Sequence, residues 1–225
     1  MVIVRPQYIS CKLLNNRTTQ DRLGCAETLH FTVKPDRQLP DIYFSDKFPF
    51  APVFLPEAEV QAMIEDRLPS YERASALIEA YLQNASWLIR PADREQIWEE
   101  LMPEVYKKGR FGNRNASGSA QLIHPHTLSL LLAIFAVGAI ADLTLPPWNE
   151  EAELYYQLSR VAISLKPVFD GAGLTAVQAI ALLVMYDVFA CRKSTFDGTW
   201  KMTSFCMALA GSVRIYLLSM SKPVY

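Results

Sequence analysis

The sequence predicts an all-α fold: a bundle or array of helices around one central helix, residues 128–141, behind an irregular proline-rich N-terminal segment. Three features carry this. Residues 127–142, TLSLLLAIFAVGAIAD, set apolar side chains (Leu128, Leu130, Leu131, Leu132, Ile134, Phe135, Val137, Ile140) on every side of a 3.6-residue helix, leaving no lateral face for water. Segments on both sides repeat apolar residues at helical spacing. Ser, Asn and Pro stand where helix starts want them.

A membrane span is the rival reading of the central run. From Leu128 to Ala141 it holds 14 residues before Asp142 closes it, whereas a spanning helix needs roughly 20 and runs of about 10 to 14 are buried core. The next richest run, residues 174–191, is interrupted by Gln178 and Asp187, which are costly in lipid. No membrane partner is expected.

Hydrophobic residues make up 51% of the 225 and charged residues 20%, enough to build a sizeable core in one domain or slightly more. A formal net charge of −1 gives no global attraction to nucleic acid or anionic lipid, which needs clustered Lys and Arg. Cys11, Cys25, Cys191 and Cys206 lie too far apart for CxxC zinc spacing and are too few for a secreted disulfide scaffold. Reduced thiols are expected. The N-terminus lacks the continuous apolar segment of a signal peptide, so the default is intracellular.

Three regions follow along the chain. Residues 1–56 show no sustained helical period and carry Pro35, Pro40, Pro49, Pro52 and Pro56, so they read as a leader or linker. Residues 57–213 form the helical domain, and 214–225 an atypical tail after an abrupt change of pattern at Val213. Within the domain, Ser70 is an N-cap for a helix with Ala74, Leu77, Ile78, Tyr81, Leu82, Ala85 and Leu88 on one side. A second helix opens at residues 90–93, with Ile97, Leu101 and Val105 in one stripe and Trp98, Met102 and Tyr106 in the next; Pro103 should end or kink it. Residues 107–120, with three glycines and four cations, read as a solvated loop rather than a GxxG nucleic-acid clamp.

Pro125 suits the first turn of the central helix. Asn149 caps a helix whose first turn holds Glu150, Glu151 and Glu153, where the helix dipole favours acids. Its apolar stripe is Leu154, Leu158, Val161, Ala162 and Leu165, and Pro167 ends it. Thr175 and Gln178 make a capping-box pattern for an almost wholly apolar helix that should lie beside the central one. The last helix starts at residues 197–200, with Trp200 a packing anchor and Ala208, Ala210, Gly211 and Ser212 allowing a neighbour's backbone close.

Candidates for chemistry are thin. His124 and His126 invite a metal, yet no third ligand sits at helical spacing and His30 lies in the leader. Asp187 has no acidic or basic partner at i±3 or i±4. No Asp-Asp-x-x-Asp pattern, Glu-x-x-His pair or Gly-x-Ser-x-Gly elbow occurs. No catalytic, cofactor-binding or metal residue is therefore assigned. Tyr155, Tyr156, Arg160 and Gln178 could line a pocket, although core packing explains each.

Across residues 143–183 the order of segments becomes specific. Leu-Pro-Pro, an acidic cap, Tyr155-Tyr-Gln-Leu-Ser-Arg-Val-Ala-Ile-Ser-Leu165, then Leu174-Thr-Ala-Val-Gln-Ala-Ile-Ala-Leu-Leu183, and later Trp200 with Ala208-Leu-Ala-Gly-Ser-Val213, resembles the fungal-specific transcription factor regulatory (middle homology) domain. Tyr81-Leu-Gln-Asn-Ala-Ser-Trp87 and His124-Pro-His-Thr-Leu-Ser-Leu-Leu fit the segments before it. The resemblance covers roughly residues 70–213. It implies an all-helical regulatory module in the nucleus, binding a small-molecule effector or protein partners. In that family the module follows a binuclear zinc cluster built on six cysteines, which grips DNA. Zinc and DNA contact are thus implied only for such a cluster, which this sequence lacks, and no cofactor is implied in this chain.

A second departure is Arg214-Ile-Tyr, where the family continues into Gly-Leu-His-Arg-Asp and further helices. A truncated or mis-spliced gene product is the reading this suggests, leaving apolar helix faces exposed and favouring aggregation or a homodimer. The alternatives to a regulator are a helical protein-interaction scaffold and, further off, a helical enzyme.

Overall fold

The computed structural model describes residues 57–106, 123–146, 149–169, 173–190 and 196–220, all within one unit, Pro35–Tyr225. The leader 1–56, the loop 107–120 and Cys11, Cys25 and Cys191 lie outside the described residues. Among those described there are seven α-helices and no strand: α1 Glu57–Glu65, α2 Tyr71–Ala80, α3 Met102–Val105, α4 Pro125–Ala141, α5 Glu150–Ser164, α6 Leu174–Phe189 and α7 Phe196–Met220. Two π-helical segments, Tyr81–Ala85 and Gln96–Leu101, extend α2 and precede α3. None of the described helices is long and apolar enough to cross a membrane.

Helix α4 is the axis. From Pro125 to Ala139 every residue is buried, including His126, Thr127, Ser129 and Gly138. A helix with no polar face must be sheathed, and α2, both π segments, α5 and α6 supply the sheath. Its start is as expected, with Pro125 in the first turn; His124 is the N-cap and its ring accepts the His126 N–H at 3.3 Å. Asp142 closes the other end. Gly138 explains how α2 comes so near: a Cβ there would fall on the Leu77 carbonyl oxygen.

The flanking helices follow their local signals. Ser70 is extended and its hydroxyl accepts from the Arg73 N–H at 3.3 Å. Asn149 caps α5, its side chain accepting the Ala152 N–H at 2.6 Å while its amide donates to the Ala139 carbonyl at 2.7 Å, so one residue both starts α5 and ties it to α4. Helix α5 ends before Pro167 and buries Leu158, Val161 and Ala162, together with Tyr155 and Tyr156. Helix α6, apolar nearly all round, lies against α4.

Four readings need correction. Leu88 is 46% exposed, because the π turn at 81–85 shifts the helical phase and the helix stops there. Pro103 does not end its helix, which continues to Val105; the distortion lies in the wide π turn immediately before it, where the Met102 N–H reaches back to the Ile97 carbonyl and makes room for the ring. The capping box at Thr175 and Gln178 does not form. Gly173 is the N-cap of α6 without a side-chain bond, and Gln178 is drawn away by partners described below. Finally, Trp200 is 65% exposed rather than packed as an anchor among the described residues. Helix α7 also runs through Val213 to Met220 without a break.

Candidate functional site

Among the described residues, polar groups gather at helix crossings, in three largely half-buried clusters and one fully buried serine pair. The first joins α2, α4 and α5. Arg73, in the first turn of α2, donates from Nε and Nη2 to the two carboxylate oxygens of Glu151 at 3.1 and 2.7 Å, and from Nη1 to Asp142 at 3.3 Å. Tyr155 donates its hydroxyl to Glu151 at 3.1 Å while its ring packs edge-on against Phe135. The Glu151 hydrogen bond holds Arg73 above its ordinary range. The Thr144 hydroxyl, at 2.6 Å, does most to hold Asp142 below the usual carboxylate range, with Arg73 adding to it. Burial first, and Glu151 second, push the Tyr155 phenol far up. One guanidinium bridges two carboxylates beside a phenol that stays neutral at physiological pH, which suits a clamp between helices.

The second cluster lies between α5 and α6. The rings of Tyr156 and Tyr186 stack at 4.4 Å, and the Arg160 guanidinium stands 5.4 Å from the Tyr156 ring centre. Tyr186 donates to Glu153 at 3.3 Å, and Glu153 also accepts from Gln157 at 2.6 Å. Asp187 follows, half-buried. Both tyrosines belong to the buried core, and the guanidinium over the Tyr156 ring adds a cation–π attraction to the α5–α6 contact.

The third cluster ties α6 to the second π segment. Gln178 donates to the Pro91 carbonyl at 2.8 Å and exchanges amide bonds with Gln96 at 2.9 and 3.2 Å. Nearby in sequence, Tyr81 is fully buried, its hydroxyl has no hydrogen-bond partner among the described residues, and burial pushes its phenol up to about 12.

The four residues suggested as pocket-lining are therefore split. Tyr155 turns toward Phe135 of α4, and Tyr156 toward Tyr186 of α6. Gln178 precedes Tyr186 by eight residues, about 12 Å along the helix at 1.5 Å per residue. Only Tyr156 and Arg160 meet.

The histidines also have other work. The His124 and His126 rings meet edge-on at 5.0 Å, and the His126 Nε2 lies 3.5 Å from the Lys166 carbonyl. Burial lowers both below the ordinary histidine value. Among the described residues no group of three or more His, Cys, Asp or Glu could hold a metal ion. Cys206, the one described cysteine, is half-buried with its thiol 3.6 Å from the Val177 carbonyl, and burial raises it.

Sequence reasoning missed one pair entirely. Ser129 and Ser159, both fully buried at the α4–α5 crossing, donate to each other's carbonyl at 2.9 and 2.8 Å, with the hydroxyl oxygens 3.0 Å apart. Each hydroxyl is spent on a backbone acceptor, so the pair is a rivet rather than a nucleophile with its base. The only local signal was a serine within an otherwise apolar run.

Fold and clusters together define an all-α domain in which polar residues chiefly lock helix crossings. Set against known proteins, the chain matches no family model, no curated protein and no solved structure.

Proposed function

We propose that this chain is the regulatory domain of a fungal-specific nuclear transcription regulator, working by binding a small effector or a protein partner that changes helix packing. The observation that carries the reading is the order of segments quoted above: the main stretches bearing the resemblance fall in α4, α5, α6 and α7, of which α5 and α6 pack on α4, the buried axis. An effector can shift such packing only as far as its affinity differs between the two arrangements. The α5–α6 seam, with Tyr156, Tyr186 and Arg160, is where we place that shift.

DNA reading and zinc belong to a separate module. Four cysteines in the whole sequence cannot supply the six ligands of a binuclear cluster, and Cys206 faces the α6 backbone. The chain itself is thus not expected to hold that cluster.

The test is a fusion of the full chain to a heterologous DNA-binding module with a reporter promoter in fungal cells. Reporter output several-fold above or below the DNA-binding module alone is the expected result. Unchanged output from a fusion that accumulates and is helical would sink the regulator and leave the interaction scaffold.

A further inference from the structure

The geometry points to a two-fold homodimer in which α7 pairs antiparallel with the α7 of a second copy. The inference rests on α7 alone and stands or falls separately from the transcriptional reading. Helix α7 packs along α6 through Met202, Phe205, Cys206, Leu209 and Val213, which are buried or half-buried against the core. Its opposite side is a regular seam. Asp197, Trp200, Ser204, Met207, Gly211 and Arg214 follow one another at spacings of three, four, three, four and three, the repeat of a coiled-coil face. All six are exposed, Trp200 at 65% and Met207 at 71%.

The seam is complementary to itself in one orientation. In an antiparallel register centred between Phe205 and Cys206, Asp197 faces the partner's Arg214, Trp200 faces the partner's Gly211, and Ser204 faces the partner's Met207. Opposite charges meet at both ends. The largest side chain meets the residue with none, and a Cβ at Gly211 encounters nothing within the monomer, so there is room for an indole. A parallel pairing would set Asp197 on Asp197 and Arg214 on Arg214, which like-charge repulsion disfavours. Since the same face serves both copies, the contact closes at two and does not propagate.

Burying this face orphans no hydroxyl. Ser204 donates to the Trp200 carbonyl at 3.0 Å, and Ser212 to the Ala208 carbonyl at 3.2 Å. The Asp197–Lys201 ion pair is open to water, with the side chains 67% and 72% exposed, so Asp197 can share its carboxylate with an incoming guanidinium at small cost. Arg214 is exposed with no ion pair to another described residue. Six seam positions on an 18-residue stretch, about 26 Å long at 1.5 Å per residue, make an interface below the standard size, so the dimer is a weak, concentration-dependent one.

Sedimentation of the full chain over a concentration series tests this, with circular dichroism to verify helicity. The expected result is a monomer–dimer equilibrium. R214D should weaken it about tenfold by facing Asp197 with a second acid, and D197R/R214D should restore it by exchanging the charges. Gly211→Gln should raise the melting temperature, since Gln is the better helix former, while weakening the dimer about tenfold by occupying the space opposite Trp200. This neutral variant decides the matter if a charge variant fails to fold. A monomer at every concentration overturns the proposal, as does a dimer indifferent to both Gly211→Gln and R214D. So does a monomer in which acrylamide quenching, compared with Trp200→Phe, shows Trp200 shielded, since another segment of this chain would then cover the seam.

Discussion

Gly138 and Tyr81 show at single positions how little slack the core has and where it is imperfect. At Gly138 the backbones of α2 and α4 touch, and a methyl group would land on the Leu77 carbonyl oxygen, which is backbone and cannot swing away. Gly138→Ala should therefore destabilise the fold by about 1–3 kcal/mol or more, although Ala is worth about 1 kcal/mol over Gly in a helix. Chemical denaturation measures it; an unchanged or raised midpoint would mean that α2 does not seat there. Tyr81 is the opposite case. Its hydroxyl is buried without a hydrogen-bond partner among the described residues, so Tyr81→Phe removes a desolvated group and keeps the ring. The expected gain is about 1 kcal/mol, read in the same titration, and a loss of that size would reveal a partner for the hydroxyl. Neither role was visible in the sequence. Gly138 reads as one more small residue in an apolar run, and Tyr81 as a regular member of a helical stripe, because both depend on what the opposing helix brings to that spot.

At the level of elements, the local signals were legible where they act locally. Ser70, Pro125 and Asn149 start the helices they were expected to start, since a cap needs only its own first turn. The capping pattern at Thr175 and Gln178 failed because Gln178 finds the Pro91 carbonyl and Gln96, far away in sequence. The cap of α4 makes a pH prediction. His124 must be unprotonated at Nδ1 to accept the His126 N–H, and His126 is buried. Burial holds both histidines below their unfolded value. A base whose folded value is depressed binds its proton more readily when unfolded, so its stabilising contribution is full above about pH 6.5 and shrinks as pH falls below that. The melting temperature should decline between about pH 7 and pH 5.5, and the double variant H124N/H126F, which keeps a capping side chain, should lose most of that slope. A slope equal to that of the parent chain would show that other groups control it.

For the whole molecule, the all-α architecture and the central place of residues 128–141 followed from one physical fact, that a helix apolar on all sides must be enclosed. What the sequence could not show is how unevenly the enclosure is shared. Helix α4 is held by α2, both π segments, α5 and α6, and its crossing with α5 carries the Ser129–Ser159 rivet while the Arg73 clamp binds its C-terminal end. Opening α4 therefore means opening nearly everything. Helix α7 rests on α6, and its outward side, from Asp197 to Arg214, is largely in water. Local opening free energies track such differences in packing. In hydrogen exchange at low protein concentration, α4 amides should exchange slowest, at the rate set by global unfolding, and α7 amides orders of magnitude faster through a local event. Raising the concentration should slow α7 selectively if its seam pairs with a second copy, leaving α4 unchanged. Protection of α7 equal to that of α4 in the dilute monomer would mean that α7 belongs to the same cooperative unit, and that its exposed seam is no guide to where the molecule opens first.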